Sequence, residues 1–328
     1  MVTASEGQSR GSAVRSTVLH SLAAAALNIP PMQLFVPAAF IHCGLRNGVK
    51  AMWASVAGSM FILSLWAMAY GSLSATSFPT HIAGLAHFLM AVAVPAGVAA
   101  ILVARLAPFG TVLTSAVATS FAGFSVVELA IRQLFNYSPF QAVVGSFRSN
   151  FDAELALARK RELVTPDVLN RMDQFSDIVA ASYMPLMLLI IACLMFTLSL
   201  VMIPRLPAGR VTGATYLFRN LSFPDWLLFG FIAGGLAPLA TGLPRLIGLN
   251  LLGVVVFLYM LQGLAIFRSV LGRFGFGPLG TLLAYVTLAF LMLYAVAFFA
   301  LFLAGLFDPF FDFRKLKRKD DSNESDSD

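Results

Sequence analysis

Charge is scarce in this sequence. Only 12% of its 328 residues are Asp, Glu, Lys or Arg, where a soluble globular chain carries about 25%. A water-facing surface cannot be built from so little charge. Cysteine is almost absent: Cys43 and Cys193 both lie at or inside apolar runs, which excludes a disulfide framework or a zinc-type spacing. They read as small buried apolar residues. The four histidines, His20, His42, His81 and His87, are scattered and show no metal-ligand spacing. No GxxxxGK phosphate loop and no Gly-x-Ser-x-Gly elbow occurs. An intramembrane enzyme would also need ionisable groups clustered at one depth, and none is found. The expectation is therefore no catalytic residue, no metal and no cofactor. No basic stripe interleaved with aromatics is present to bind nucleic acid. The net charge of +6 sits beside apolar runs, as basic residues flanking membrane spans do. The polar first 17 residues are followed by no short apolar core with a small-x-small cleavage site, so the first span is expected to remain as an anchor.

What is present is apolar sequence in long runs. Hydrophobic residues make up 59% of the chain, against about 45–50% in soluble domains. A bilayer-crossing helix needs about 20 apolar residues. Runs of that kind cover residues 18–43, 51–71, 82–104, 111–135, 178–203, 226–243, 246–270 and 278–307. The fold expected is all-α, a polytopic transmembrane bundle of about eight spans, within seven to nine. Pro30, Pro31 and Pro37 interrupt the first run and Pro238 the sixth, so both are expected to be broken helices.

A polar arm, residues 136–177, divides the membrane domain at 18–313. Thr165-Pro166-Asp167 is a helix start: a hydroxyl, a proline for the first turn, and an acid near the positive end of the dipole. Val168, Met172, Phe175 and Val179 then recur at helical spacing. This predicts an amphipathic helix feeding the fifth span, either lying on the membrane surface or docking a partner. Residues 1–17 and 314–328 read as disordered tails. The last holds Arg314, Lys315, Lys317, Arg318 and Lys319, then only Asp, Ser, Asn and Glu. With eight spans both ends share a side. The tail and arm place most basic residues there and favour cytoplasmic ends, whereas the short loops alone favour the reverse.

Few polar residues fall within the runs. Glu128 precedes Arg132 by one turn, so the two can pair, or Glu128 can line a cavity. Asn250, Tyr259 and Gln262 lie along the seventh run. Asn250 and Gln262 are about 18 Å apart along a helix. Both can fix packing between helices or line a pocket. In the sixth run, Gly230-x-x-x-Gly234 and Ala233-x-x-x-Ala237 allow close helix approach, within this chain or to a partner helix. Candidate ligand-binding residues are Glu128, Asn250, Gln262 and Arg46.

Two stretches carry a family likeness. One is residues 31–50, with Pro37 and Gly44-Leu45-Arg46-Asn47-Gly48-Val49-Lys50. The other is the C-terminal third: Asn250-Leu251, Tyr259, Leu261-Gln262-Gly263-Leu264-Ala265, Gly305-Leu306-Phe307-Asp308 and Asp312-Phe313-Arg314-Lys315. Both resemble the YybS-like family of bacterial membrane proteins, which is distantly similar to the S subunits of energy-coupling-factor transporters. The resemblance implies a helical bundle in the bacterial cytoplasmic membrane that captures a small molecule and docks on a separate ATP-driven module. A cell-shape membrane protein of the MreD type has a similar bundle with no transport role. The functional expectation is thus a small-molecule-binding or transport-associated component without its own ATPase, in contact with lipid and an energising module or other membrane proteins. The alternative is a membrane scaffold in cell-envelope or cell-shape organisation.

Overall fold

The computed structural model describes residues 3–29, 32–71, 78–161, 165–206, 217–292, 295–311 and 313. The tail at 314–328 and the Pro30-Pro31 pair lie outside them. Among the described residues there are helices and turns and no strand. The helices are α1 (Thr3–Leu27), α2 (Val36–Asn47), α3 (Val49–Gly71), α4 (Phe78–His87), α5 (Val94–Ala104), α6 (Phe109–Phe135), α7 (Pro139–Lys160), α8 (Pro166–Ile178), α9 (Met184–Met202), α10 (Leu227–Leu236), α11 (Leu243–Arg273), α12 (Pro278–Met292) and α13 (Val296–Phe311).

Among the described residues five stretches are long and apolar enough to cross a membrane: Val49–Ala69, Thr80–Ala104, Phe109–Phe135, Met184–Arg205 and Pro244–Arg273. Counting α12 and α13 as one bent span gives six. The expectation is about eight; two further helices, Val14–Leu27 and Leu227–Leu239, are apolar but shorter. The first run divides into α1 and the 12-residue α2, and the sixth shrinks to a short apolar helix. Hydropathy counts apolar residues but not the breaks that shorten a helix, and both runs contain prolines.

The chain forms two compact units. The first comprises residues 1–107 and 112–212, the second residues 108–111 and 213–328. In the first unit α2 is the hub, packed on α1, α3, α5 and α9. Phe40, Ile41 and Cys43 on it are fully buried. Pro37 presets the first turn. The helix stops at Gly48, whose φ of 85° a side chain would resist. The Gly48 N–H closes the end by donating to the Gly44 carbonyl at 3.0 Å.

The run at 82–104 is continuous but not uniform. Residues Phe88–Ala93 form a π-helical turn just before Pro95, and Val179–Tyr183 form another just before Pro185. A proline has no N–H for the carbonyl one turn back and its ring crowds that carbonyl, so the turn widens. For Pro95 the affected carbonyl is that of Ala91. The Ser120 hydroxyl of α6 donates to it at 2.6 Å. Gly123, one turn further along α6, lies so close to the Met90 carbonyl that a Cβ would overlap it. The serine supplies the missing donor and the glycine the space.

The polar arm is more ordered than its composition suggests. α7 fills 22 residues of it. Ser138 caps this helix, its hydroxyl accepting from the Gln141 N–H at 3.1 Å, and Pro139 occupies the first turn. α8 runs into α9 through the second π turn, as the periodicity predicts. Thr165 stands at the cap position in extended conformation, but its hydroxyl makes no capping bond. Arg148 of α7 pairs with Asp177 of α8.

In the second unit the 31-residue α11 is the axis, with α10 and α13 packed on it. Each crossing is made by glycine. A Cβ on Gly234 would meet the Leu252 backbone at 2.9 Å, and one on Gly248 would overlap Ala237. The small-residue pattern of the sixth run therefore serves packing inside the chain through Gly234 and Ala237, while Ala233 is exposed. A Cβ on Gly263 would overlap the Leu301 carbonyl, and one on Gly305 the Tyr259 carbonyl. Here α11 and α13 touch backbone to backbone.

Candidate functional site

The glycine crossing between α11 and α13 holds the most buried polar side chain of the candidates. Gln262 adjoins Gly263 and is 1% exposed. Its Oε1 accepts from the Phe223 N–H at 3.0 Å, and its Nε2 donates to Oδ2 of Asp308 at 3.1 Å. Asp308 lies three residues after Gly305 and is 7% exposed. Phe223 belongs to the irregular stretch before α10, where a backbone N–H has no helical acceptor. Leu221 and Phe223 are both buried, so that donor needs a partner from elsewhere in the fold. One carboxamide thus satisfies a stray amide on one side and reaches a carboxylate on the other. The two bonds also fix which end of the amide is oxygen, since the N–H of Phe223 can only donate.

A carboxylate in such surroundings is costly unless hydrogen-bonded or paired. It can hold a proton, a cation or a polar solute, which is why an acid inside an apolar helix marks a functional site by default. Among the described residues no group of three or more His, Cys, Asp or Glu side chains could hold a metal ion.

No bond from Gln262 reaches Asn250, Glu128 or Arg46. Asn250 is buried on α11 and donates to the Leu246 carbonyl of its own helix at 2.8 Å. Glu128 lies in the first unit near the end of α6. Its oxygens engage not Arg132 but the start of α7, accepting from the Ser138 hydroxyl at 2.5 Å and the Phe140 N–H at 2.8 Å. It therefore acts as a helix cap, satisfying an amide that an isolated helix leaves unpaired. Phe124 and Phe140 pack edge to face beside it. Arg46 is exposed in the last turn of α2.

Sequence reasoning named Gln262 but not its partner. Asp308 is 46 residues away, and nothing local links the two. A signal was present nonetheless: each polar residue sits within one turn of a glycine inside an apolar run, where two helices can come close. Ser138 was missed as Glu128's partner for the same reason of distance, although Ser138-Pro139 is a legible helix start.

A helical chain with several apolar helices of spanning length, built around buried polar pairs, is a polytopic membrane protein. The model of the family described as predicted membrane protein (DUF2232) matches residues 17–309, and the chain belongs to that family. No curated protein and no solved structure matches it.

Proposed function

We propose that this protein binds a small polar solute or cation within its membrane domain and takes part in transport without an ATPase of its own. The observation that carries the reading is the Gln262–Asp308 pair, a carboxylate and a carboxamide buried together among apolar helices. Such groups are expensive in an apolar setting and persist where a pathway or a ligand uses them. The resemblance of the C-terminal third to YybS-like proteins, and more distantly to S subunits of energy-coupling-factor transporters, supports the reading, because two of its motifs, Leu261-Gln262-Gly263-Leu264-Ala265 and Gly305-Leu306-Phe307-Asp308, hold the two residues of the node. On this reading the protein is not an enzyme, it resides in the bacterial cytoplasmic membrane with both ends inside, and an ATP-driven module supplies the energy.

The test is to purify tagged full-length protein in mild detergent and identify retained small molecules and co-purifying proteins by mass spectrometry. The expected result is a small molecule or cation held by wild type and lost from Asp308→Asn, together with an ATPase pair. Wild type and variant retaining the same material, with no ATPase, would contradict the reading.

A second reading, a scaffold in the cell envelope, draws on α8. Its Val168, Met172 and Phe175 are exposed on a charged helix outside the candidate spans. Recovery of envelope or shape proteins, lost when residues 139–178 are deleted, would favour it.

A further inference from the structure

Two of the scattered histidines meet in the first unit. His20 on α1 and His42 on α2 have ring centroids 5.1 Å apart, with Nε2 of His20 2.9 Å from Nδ1 of His42. Nδ1 of His20 lies 2.6 Å from the Ser16 carbonyl oxygen. The hydrogens follow from these contacts. A carbonyl only accepts, so Nδ1 of His20 carries a hydrogen. In a neutral ring the other nitrogen is then bare. Nε2 of His20 must accept, and Nδ1 of His42 must donate. That leaves Nε2 of His42 as a bare lone pair, and it is buried with no hydrogen-bond partner. His42 itself is 8% exposed. Beside the dyad, the Asn47 amide donates to the Ser16 hydroxyl at 2.9 Å, a second tie between the same helices.

We propose that the His20–His42 dyad is a single-proton site whose loading weakens the joint between α1 and α2. One extra proton has only one outcome. If it adds to His42 directly, Nε2 gains a hydrogen. If it adds to His20, Nε2 of His20 becomes a donor, Nδ1 of His42 must turn acceptor, and the hydrogen of His42 moves to its Nε2. Both routes put an N–H on Nε2 of His42, where no acceptor is in reach. A neutral dyad is fully matched across the joint, apart from one idle lone pair. A loaded dyad buries an unmatched donor and a charge.

The surroundings give the charge no relief. Arg46 stands one turn on in α2. The other elements packed on α2 bring Arg15 of α1, Lys50 of α3 and Arg205 of the turn Ile203–Arg205, and no acid among their described side chains. The thiols of Cys43 and Cys193 carry no charge near neutral pH. α2 has 12 residues and is not one of the helices of spanning length. Burial, then His20, then Arg46 push the His42 imidazole below its ordinary value. The unfolded ring binds its proton near the ordinary histidine value, about 6.5. Between the folded and unfolded values the unfolded chain holds more protons, so stability is present above about 6.5 and lost as pH falls below it.

The experiment is thermal unfolding of full-length wild type and His42→Gln in detergent at pH 8 and pH 5.5. Between these the wild-type midpoint should fall by about 2–4 °C more than that of the variant. An equal fall in both overturns the proposal. Should His42→Gln not fold, nitrogen-15 NMR of histidine-labelled wild type decides. A His42 ring that changes below the ordinary histidine value, moving the His20 signals with it, supports the dyad. A His42 ring that titrates at the ordinary value, leaving the His20 signals unmoved, overturns it.

Discussion

The two units solve one problem in different ways. In each, the backbone leaves a polar group unmatched in apolar surroundings. In the first unit the fault is made by Pro95, which cannot donate to the Ala91 carbonyl, and the remedy is a single hydroxyl from Ser120 on a neighbouring helix. In the second the fault is irregular chain at Phe223, and the remedy is Gln262, which also holds Asp308. A hydroxyl can close one gap and stop there. A carboxamide has two ends, so it ties two segments together and brings a carboxylate into the interior. The first arrangement is a repair. The second creates a node with chemistry available to it, and this contrast is why the proposed function rests on the second unit.

The contrast can be tested from its largest consequence downward. Gly305→Leu and Gly263→Leu should do most damage, because a side chain at either would displace a helix backbone rather than a side chain. Each should cost more than about 4 kcal/mol, read as loss of the monodisperse peak in detergent gel filtration. Gly145→Leu, where nothing lies within 4 Å, should leave that peak unchanged. Next comes Gln262→Leu. It strips the Phe223 N–H of its acceptor and the Asp308 carboxylate of a donor, at about 1–3 kcal/mol for each buried group. Thermal unfolding should show it. Ser120→Ala removes one bond and leaves one carbonyl partly unmatched, so its cost should fall near 1–2 kcal/mol, roughly half that of Gln262→Leu. A serine effect as large as the glutamine effect would erase the distinction between repair and node. Glu128→Ala uncaps α7 and should cost about 1 kcal/mol, with proteolysis near residues 138–142 increased. Arg148→Ala should be smallest, below about 1 kcal/mol, since both partners of that ion pair are substantially exposed.

The membrane character was legible because desolvation acts on every residue, and composition records it in bulk. Helix positions within the long runs were legible too; α3, α6, α9 and α11 lie where the runs lie. How each run breaks was not. Proline marks a break, but whether the helix stops, as between α1 and α2, or widens, as before Pro95, depends on whether a neighbour such as Ser120 rescues the stranded carbonyl. That neighbour is far away in sequence. α7 escaped notice because the arm's polarity reads as connector, while its helical start, Ser138-Pro139, is only two residues long. The site was legible by half. Gln262 stands out as an amide in an apolar run, but its roles are set by Phe223 and Asp308, 39 and 46 residues away. Histidines 22 residues apart form a dyad for the same reason: the packing of α1 on α2 brings them together, and no spacing rule does.

The most direct measurement is a double-mutant cycle on Gln262→Leu and Asp308→Leu, by thermal unfolding of the full-length protein in detergent. Two residues acting as one node should be non-additive, the double variant losing less than the sum of the singles by about 0.5–3 kcal/mol. Additive losses would mean that the carboxamide and the carboxylate serve separate ends, and the node would not exist.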